Sequence, residues 1–152
     1  MTERYANMCG IYGFLTKNNG LLGKIQHEEA TKALSHRGPD DIQYFRADNI
    51  FLGHTRLSIL DVKNAKQPMP SRSKNSTITY NGEIYNTPEL RKLLQSKGIT
   101  LKTTSDTEVI IELYELYGIK RTLDLIDGMF AFGIWALSGF TSSTGQTGPF
   151  PF

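Results

Sequence analysis

Sulfur and imidazole are scarce in this chain, which has one cysteine, Cys9, and three histidines, at positions 27, 36 and 54, among 152 residues. A single cysteine cannot close an internal disulfide, and a structural zinc site would need more thiolate and imidazole ligands. No apolar run approaches the roughly 20 residues that span a bilayer, and the opening "MTERYAN" has no apolar core of a secretory signal. Charge of one sign is lacking too. Seventeen basic against fifteen acidic residues leave a net +2, too little for a strong electrostatic grip on nucleic acid or an anionic membrane. These absences point to a cytoplasmic, reducing compartment. What remains is 39% hydrophobic, enough for one domain with a real core.

Hydrophobic patterning and punctuation then divide the chain. "CGIYGFL" (9–15) is apolar on both sides of the pleat, as in a strand buried on two faces. A modest helix is expected over 24–36, with His27 on its solvated face, stopped by "RGPDD" at 37–41. Strands follow at 42–45 and 50–60, the second long for one strand, with a bend expected at Gly53. The polar stretch 63–76, with two prolines, reads as a surface loop. "TPELRKLLQSKG" (87–98) has Thr87 as N-cap, Pro88 at the first helical position and Gly98 past the end. "SDTEVIIELYELYG" places Ser105 and Glu108 at capping-box spacing and sets Val109, Ile110, Leu113, Leu116 and Tyr117 on one face. A short helix in "KRTLDLID" and a strand over 128–137 complete the ordered part. Residues 138–152, "SGFTSSTGQTGPFPF", have no periodicity and read as a disordered tail. Strands, then helices, then a strand indicate an α+β fold.

Each polar feature has two readings at this level. A lone cysteine is commonly a buried small hydrophobe. Asn81-Gly82 between "TITY" and "EIYN" is a strong type I′ hairpin signal. Arg56 can be an ordinary edge-strand cation, and Asp106 can simply enrich the first turn of a helix.

The combination narrows these choices. "MCGIYGF", "HRGPDD", "GHTRLSILD", "NGEIYN", "SDTEVI" and "DGMFAFGIW" occur in that order between residues 8 and 135. The series resembles the glutaminase domain of class II glutamine amidotransferases, most closely that of the glutamine-hydrolysing asparagine synthetases. This family belongs to the N-terminal nucleophile hydrolases, so the resemblance implies a four-layer αββα sandwich. It also implies glutamine hydrolysis to glutamate and ammonia, with L-glutamine as substrate.

By the same resemblance, Cys9 is the nucleophile and its own α-amine the general base. A free α-amine has a pKa of about 7.7–8.0, whereas a peptide nitrogen has its lone pair delocalised. Residues 1–8 are therefore expected to be a leader or to precede the true start, and to be removed in an active enzyme. The Asn81 side-chain amide and the Gly82 N–H match the oxyanion donors. Arg56 matches the clamp for the substrate α-carboxylate, Asp106 matches the partner of its ammonium, and Glu83 assists. The backbone from Leu57 through Ser58 and Ile59 to Leu60 lines the pocket. Arg37 and Asp40 tie the "HRGPDD" loop to the site.

The expected domain plan is a glutaminase domain at 9–137, incomplete at its C-terminal end, followed by the tail. Strands that would flank the 128–137 strand look to be missing, leaving unpaired N–H and C=O groups. No cofactor or metal site is expected in this chain; in the family, ATP and Mg are used by a separate synthetase domain, a possible partner. Two other readings stay open here: an inactive remnant that retains glutamine binding, and the glutaminase domain of a different class II amidotransferase.

Overall fold

The computed structural model describes residues 9–17, 26–47, 49–57 and 66–146. Their elements run in the order β1 (Gly10–Leu15), α1 (His27–Lys32), β2 (Asp41–Ala47), β3 (Ile50–Arg56), β4 (Met69–Pro70) and β5 (Ser76–Ile84). Next come α2 (Thr87–Ser96), α3 (Asp106–Leu125), β6 (Gly128–Ala136) and β7 (Gly139–Gln146). The strands form two antiparallel sheets, β1-β3-β2 and β4-β5-β6-β7. β5 packs across from β1 and β3, α1 covers the outer face of the first sheet, and α3 covers the second with α2 alongside. The result is four layers, αββα, in an α+β fold.

Apolar burial explains the second half of the sandwich. Ile78, Ile84, Leu90, Leu94, Ile110 and Phe132 belong to one cluster joining β5, α2, α3 and β6. α3 breaks at Gly118, whose φ of 75° is open to a residue without Cβ, so its two segments correspond to the two helices read from sequence. Within its first segment the buried face is broader than the spacing suggested. Ile111 and Glu112 are buried, whereas Leu116 is 40% exposed.

The caps also differ from expectation in detail. Asn86, one residue earlier than Thr87, precedes the first turn of α2. Ser105 caps α3 by accepting the Thr107 N–H at 3.1 Å. Glu108 does not complete the capping box; its carboxylate accepts the N–H groups of Lys102 (2.8 Å) and Thr103 (2.6 Å) instead.

Three further expectations are corrected. His27 is not on a solvated face: it is 1% exposed, with Nδ1 3.0 Å from the Tyr12 hydroxyl and its ring stacked on Phe51. β3 keeps its register through Gly53, where the missing Cβ leaves room for Thr31 of α1. Finally, residues 139–146 are a strand rather than a disordered tail, and β7 pairs with β6 along its whole length. β6 therefore has a neighbour on both sides. An outer strand is held by backbone hydrogen bonds, which do not require apolar periodicity, and Phe140 packs over Gly133 of β6. The "KNAKQPMPSRSKNS" segment likewise contains strand β4 as well as loop.

Candidate functional site

Cys9 precedes β1, and the pairing of Gly10 with Thr55 carries it to the end of β3, beside Arg56 and Leu57. Its position is held from several sides. Thr55 Oγ1 accepts the Gly10 N–H at 3.0 Å, and the Arg37 Nε–H points to the Cys9 carbonyl at 3.5 Å. The Leu57 N–H lies 3.5 Å from the Cys9 sulfur. The "HRGPDD" loop is joined to the same strand end by the Asp40 N–H donating to the Arg56 carbonyl at 2.9 Å. Arg37 and Asp40 thus tie loop to strand.

The opposite wall comes from the other sheet. The constant register of β5 against β6 runs from Ser76↔Ala136 to Ile84↔Gly128, so Asn81-Gly82 is mid-strand and the hairpin reading is excluded. Gly82 has a φ of 153°, and a Cβ there would come within 2.2 Å of the Met129 carbonyl oxygen. Glycine is required by both conformation and space.

α3 supplies the third wall through its first turn. Asp106 Oδ2 accepts the Ile84 N–H at 2.9 Å, and Oδ1 accepts the Thr87 hydroxyl proton at 2.7 Å. One carboxylate therefore links the end of β5, the start of α2 and the start of α3, which accounts for Thr87 serving this contact rather than capping α2.

Cys9, Arg56, Asn81, Gly82 and Asp106 line a single cleft of about 450 Å³, within the size range of small-molecule sites. Leu57 contributes the N–H directed at the sulfur. Glu83 is exposed and does not line this cleft, although its charge acts on the neighbouring Tyr80. Ser58, Ile59 and Leu60, and the leader 1–8, lie outside the described residues.

Sequence reasoning did not place six of the lining residues in the site: His54, Gln67, Tyr80, Thr104, Ser105 and Thr107. His54 is 2% exposed and faces Thr79 at 3.3 Å. The Thr79 hydroxyl also lies 3.3 Å from the Gly53 carbonyl, to which it can donate. Burial, helped by the Arg56 charge, pushes the His54 pKa down to about 4. Burial and the nearby Asp106 and Glu83 carboxylates push the Tyr80 hydroxyl up, so it stays protonated. His54 Nε2 has no hydrogen-bond partner among the described residues, and the Tyr80 hydroxyl faces the Asp106 carboxylate. His54 sits in the quoted "GHTRLSILD" stretch, and Tyr80 abuts "NG"; strand alternation was the available signal for both.

Among the described residues no group of three or more His, Cys, Asp or Glu side chains is placed to hold a metal ion, and no helix is long and apolar enough to cross a membrane.

Comparison with known proteins agrees with this geometry. Asparagine synthetase [glutamine-hydrolyzing] 3 of Bacillus subtilis is 39% identical over 131 residues, covering 84% of this chain and 21% of the relative. Asparagine synthetase [glutamine-hydrolyzing] 1 of the same organism is 42% identical over 132 residues with the same coverage. Asparagine synthetase [glutamine-hydrolyzing] 1 of Arabidopsis thaliana is 39% identical over 126 residues, covering 82% of this chain and 21% of the relative. The chain thus spans about one fifth of the length of these relatives. A family model described as a glutamine amidotransferase domain matches residues 8–141. Coverage of nearly the whole chain makes this a member of the class II glutamine amidotransferase domain family, related to the glutaminase domain of glutamine-hydrolysing asparagine synthetases.

Proposed function

We propose that this domain hydrolyses L-glutamine to glutamate and ammonia, with Cys9 as nucleophile. The observation that carries the reading is the convergence of a thiol, one cation, one anion and an amide-bearing strand on a single cleft. A free amino acid presents a carboxylate and an ammonium, for which Arg56 and Asp106 are complementary. The guanidinium can engage two carboxylate oxygens at once. Asp106 has already accepted two hydrogen bonds, which fix its orientation, and each oxygen keeps acceptor capacity for an ammonium.

The chemical steps follow from this placement. The α-amine of Cys9, freed when the Met8–Cys9 bond is broken, takes the thiol proton. The sulfur then forms a bond to the side-chain carboxamide carbon, and the carbonyl π pair moves to oxygen. The Asn81 side-chain amide and the Gly82 N–H stabilise that oxyanion, a contribution worth roughly 10²–10³ in rate per donor in comparable sites. On collapse the C–N bond breaks, the α-ammonium returns its proton to the leaving nitrogen, and ammonia departs. Water attacks the γ-glutamyl thioester, the C–S bond breaks, and glutamate leaves.

Leu57 and, by the family resemblance, the backbone that follows it to Leu60 complete the substrate pocket in this reading, and Glu83, exposed outside the cleft, acts only through its charge. Ammonia would serve an ATP- and Mg-dependent synthetase domain, a reading supported by the greater length of the asparagine synthetases this chain resembles. A reducing, cytoplasmic setting would keep the single thiol active.

Intact-mass measurement combined with a glutamate-release assay tests the proposal. The active species should begin at Cys9, and Cys9→Ala should release no glutamate above background. Equal rates for wild type and Cys9→Ala, or full activity in a species that retains residues 1–8, would overturn it.

A further inference from the structure

The cleft-facing edge of β5 carries more hydrogen-bonding machinery than Asn81 and Gly82. Along a strand, N–H groups alternate between the two sides, so those of Ser76, Ile78, Tyr80, Gly82 and Ile84 face the β4 side. There, side chains take over once β4 gives out. Ser71 Oγ accepts from Ser76 at 3.3 Å, Gln67 Oε1 from Tyr80 at 2.6 Å, and Asp106 Oδ2 from Ile84 at 2.9 Å. The Gly82 N–H belongs to this row, between the Gln67 and Asp106 positions, on the wall of the Cys9 cleft.

Gln67 extends the pairing of β4 by one rung. Met69 pairs with Ile78, and stepping two residues on each strand brings Gln67 opposite Tyr80, where its side-chain carbonyl replaces a strand carbonyl. A backbone N–H can only donate, so the atom bonded to Tyr80 must be the amide oxygen and the orientation of the Gln67 amide is fixed. Its NH₂ group, with two donors, has no acceptor among the described hydrogen bonds, and the residue lines the cleft. The anchored amide and the Gly82 N–H are thus successive groups along one edge of β5, on the wall of the same cleft.

We propose that the Gln67 amide NH₂ is a third donor to the oxyanion that forms on the substrate carboxamide, beside Asn81 and Gly82. This rests on the glutaminase reading above. Its double role makes it separable by mutation. Gln67→Glu keeps an oxygen acceptor for the Tyr80 N–H but removes the donor, whereas Gln67→Met removes both.

The test compares kcat and KM of the two variants with wild type, thermal melting of each, and inhibition by the γ-aldehyde analogue of glutamine, which forms a tetrahedral adduct with a thiol. Both variants should lose about 10² in kcat with KM within a few-fold. The aldehyde should bind correspondingly more weakly while glutamate affinity is unchanged, and Gln67→Glu should melt with wild type. If Gln67→Glu retains wild-type kcat and aldehyde inhibition while Gln67→Met loses activity, Gln67 is only a strand anchor and this inference fails alone. If wild type itself does not hydrolyse glutamine, the glutaminase reading fails and takes this inference with it.

Discussion

The two halves of the sandwich are held together by different means. In the half built from β4–β7, α2 and α3, a large apolar cluster forms the centre, with buried Ser76, Thr79, Thr107, Glu108, Glu112 and Thr122 around it. In the half built from α1 and β1-β3-β2, Ile50, Phe51 and Leu52 share the interior with His27, Thr31, His54, Thr55 and Arg56. There, polar groups do the joining: the Thr31 hydroxyl donates to the His27 carbonyl at 2.9 Å, and the Thr55 hydroxyl to the Leu34 carbonyl at 3.1 Å. The cleft opens where the halves meet, with Cys9 and Arg56 from the polar half and Asn81, Gly82 and Asp106 from the apolar one. Stability and chemistry are thereby drawn from different places, and mutation can test that division.

The largest effect on stability should come from the apolar half. Leu94 is fully buried, and Leu94→Ala should cost about 2–5 kcal/mol in denaturant unfolding, with KM for glutamine unchanged in the folded fraction. A parallel rise in KM would break the separation. Asn81→Ala should do the reverse. It should lower kcat by roughly 10²–10³, about 2.7–4 kcal/mol of transition-state stabilisation, while melting stays close to wild type.

A somewhat smaller effect tests the polar half by pH. His54 has a folded pKa near 4 against an ordinary value of 6.5, so the unfolded chain binds the extra proton between those values. Its contribution is fully present above pH 6.5 and is lost as pH falls towards 4, a change of about 3 kcal/mol. Unfolding free energies measured from pH 7 to 4 should show this decline, and His54→Asn should flatten it. Glu112 in the apolar half cannot be its source. Burial raises the Glu112 pKa, so its contribution is present on the acid side and is lost as pH rises.

Much of this arrangement was legible in the residues. The cleft-lining residues at 9, 56, 81, 82 and 106 and the chain's likeness to the amidotransferases came from ordered short motifs, which carry more information than composition. What escaped is instructive. Asn81-Gly82 looks like a hairpin because local turn chemistry and a constrained mid-strand glycine share the same two letters; only the register against β6 separates them. β7 escaped because an edge strand can be held by its backbone, with no apolar alternation to betray it. Gln67 escaped because it sits in a polar, proline-containing stretch read as surface loop, and its importance depends on the abrupt end of β4 beside Tyr80. His54 and Tyr80 looked like ordinary strand residues until the facing sheet closed over them.

The alternating edge of β5 makes the reaction hostage to parity. Inserting one residue between Ile78 and Tyr80 could still leave an antiparallel ladder with β6, with its bonding atoms exchanged. Yet every amide beyond the insertion would turn about: the Gly82 N–H on the cleft side would point into the sheet, and its neighbour would take its place carrying a bulkier side chain. A frame error of a single residue could thus leave a folded sandwich that has lost its chemistry.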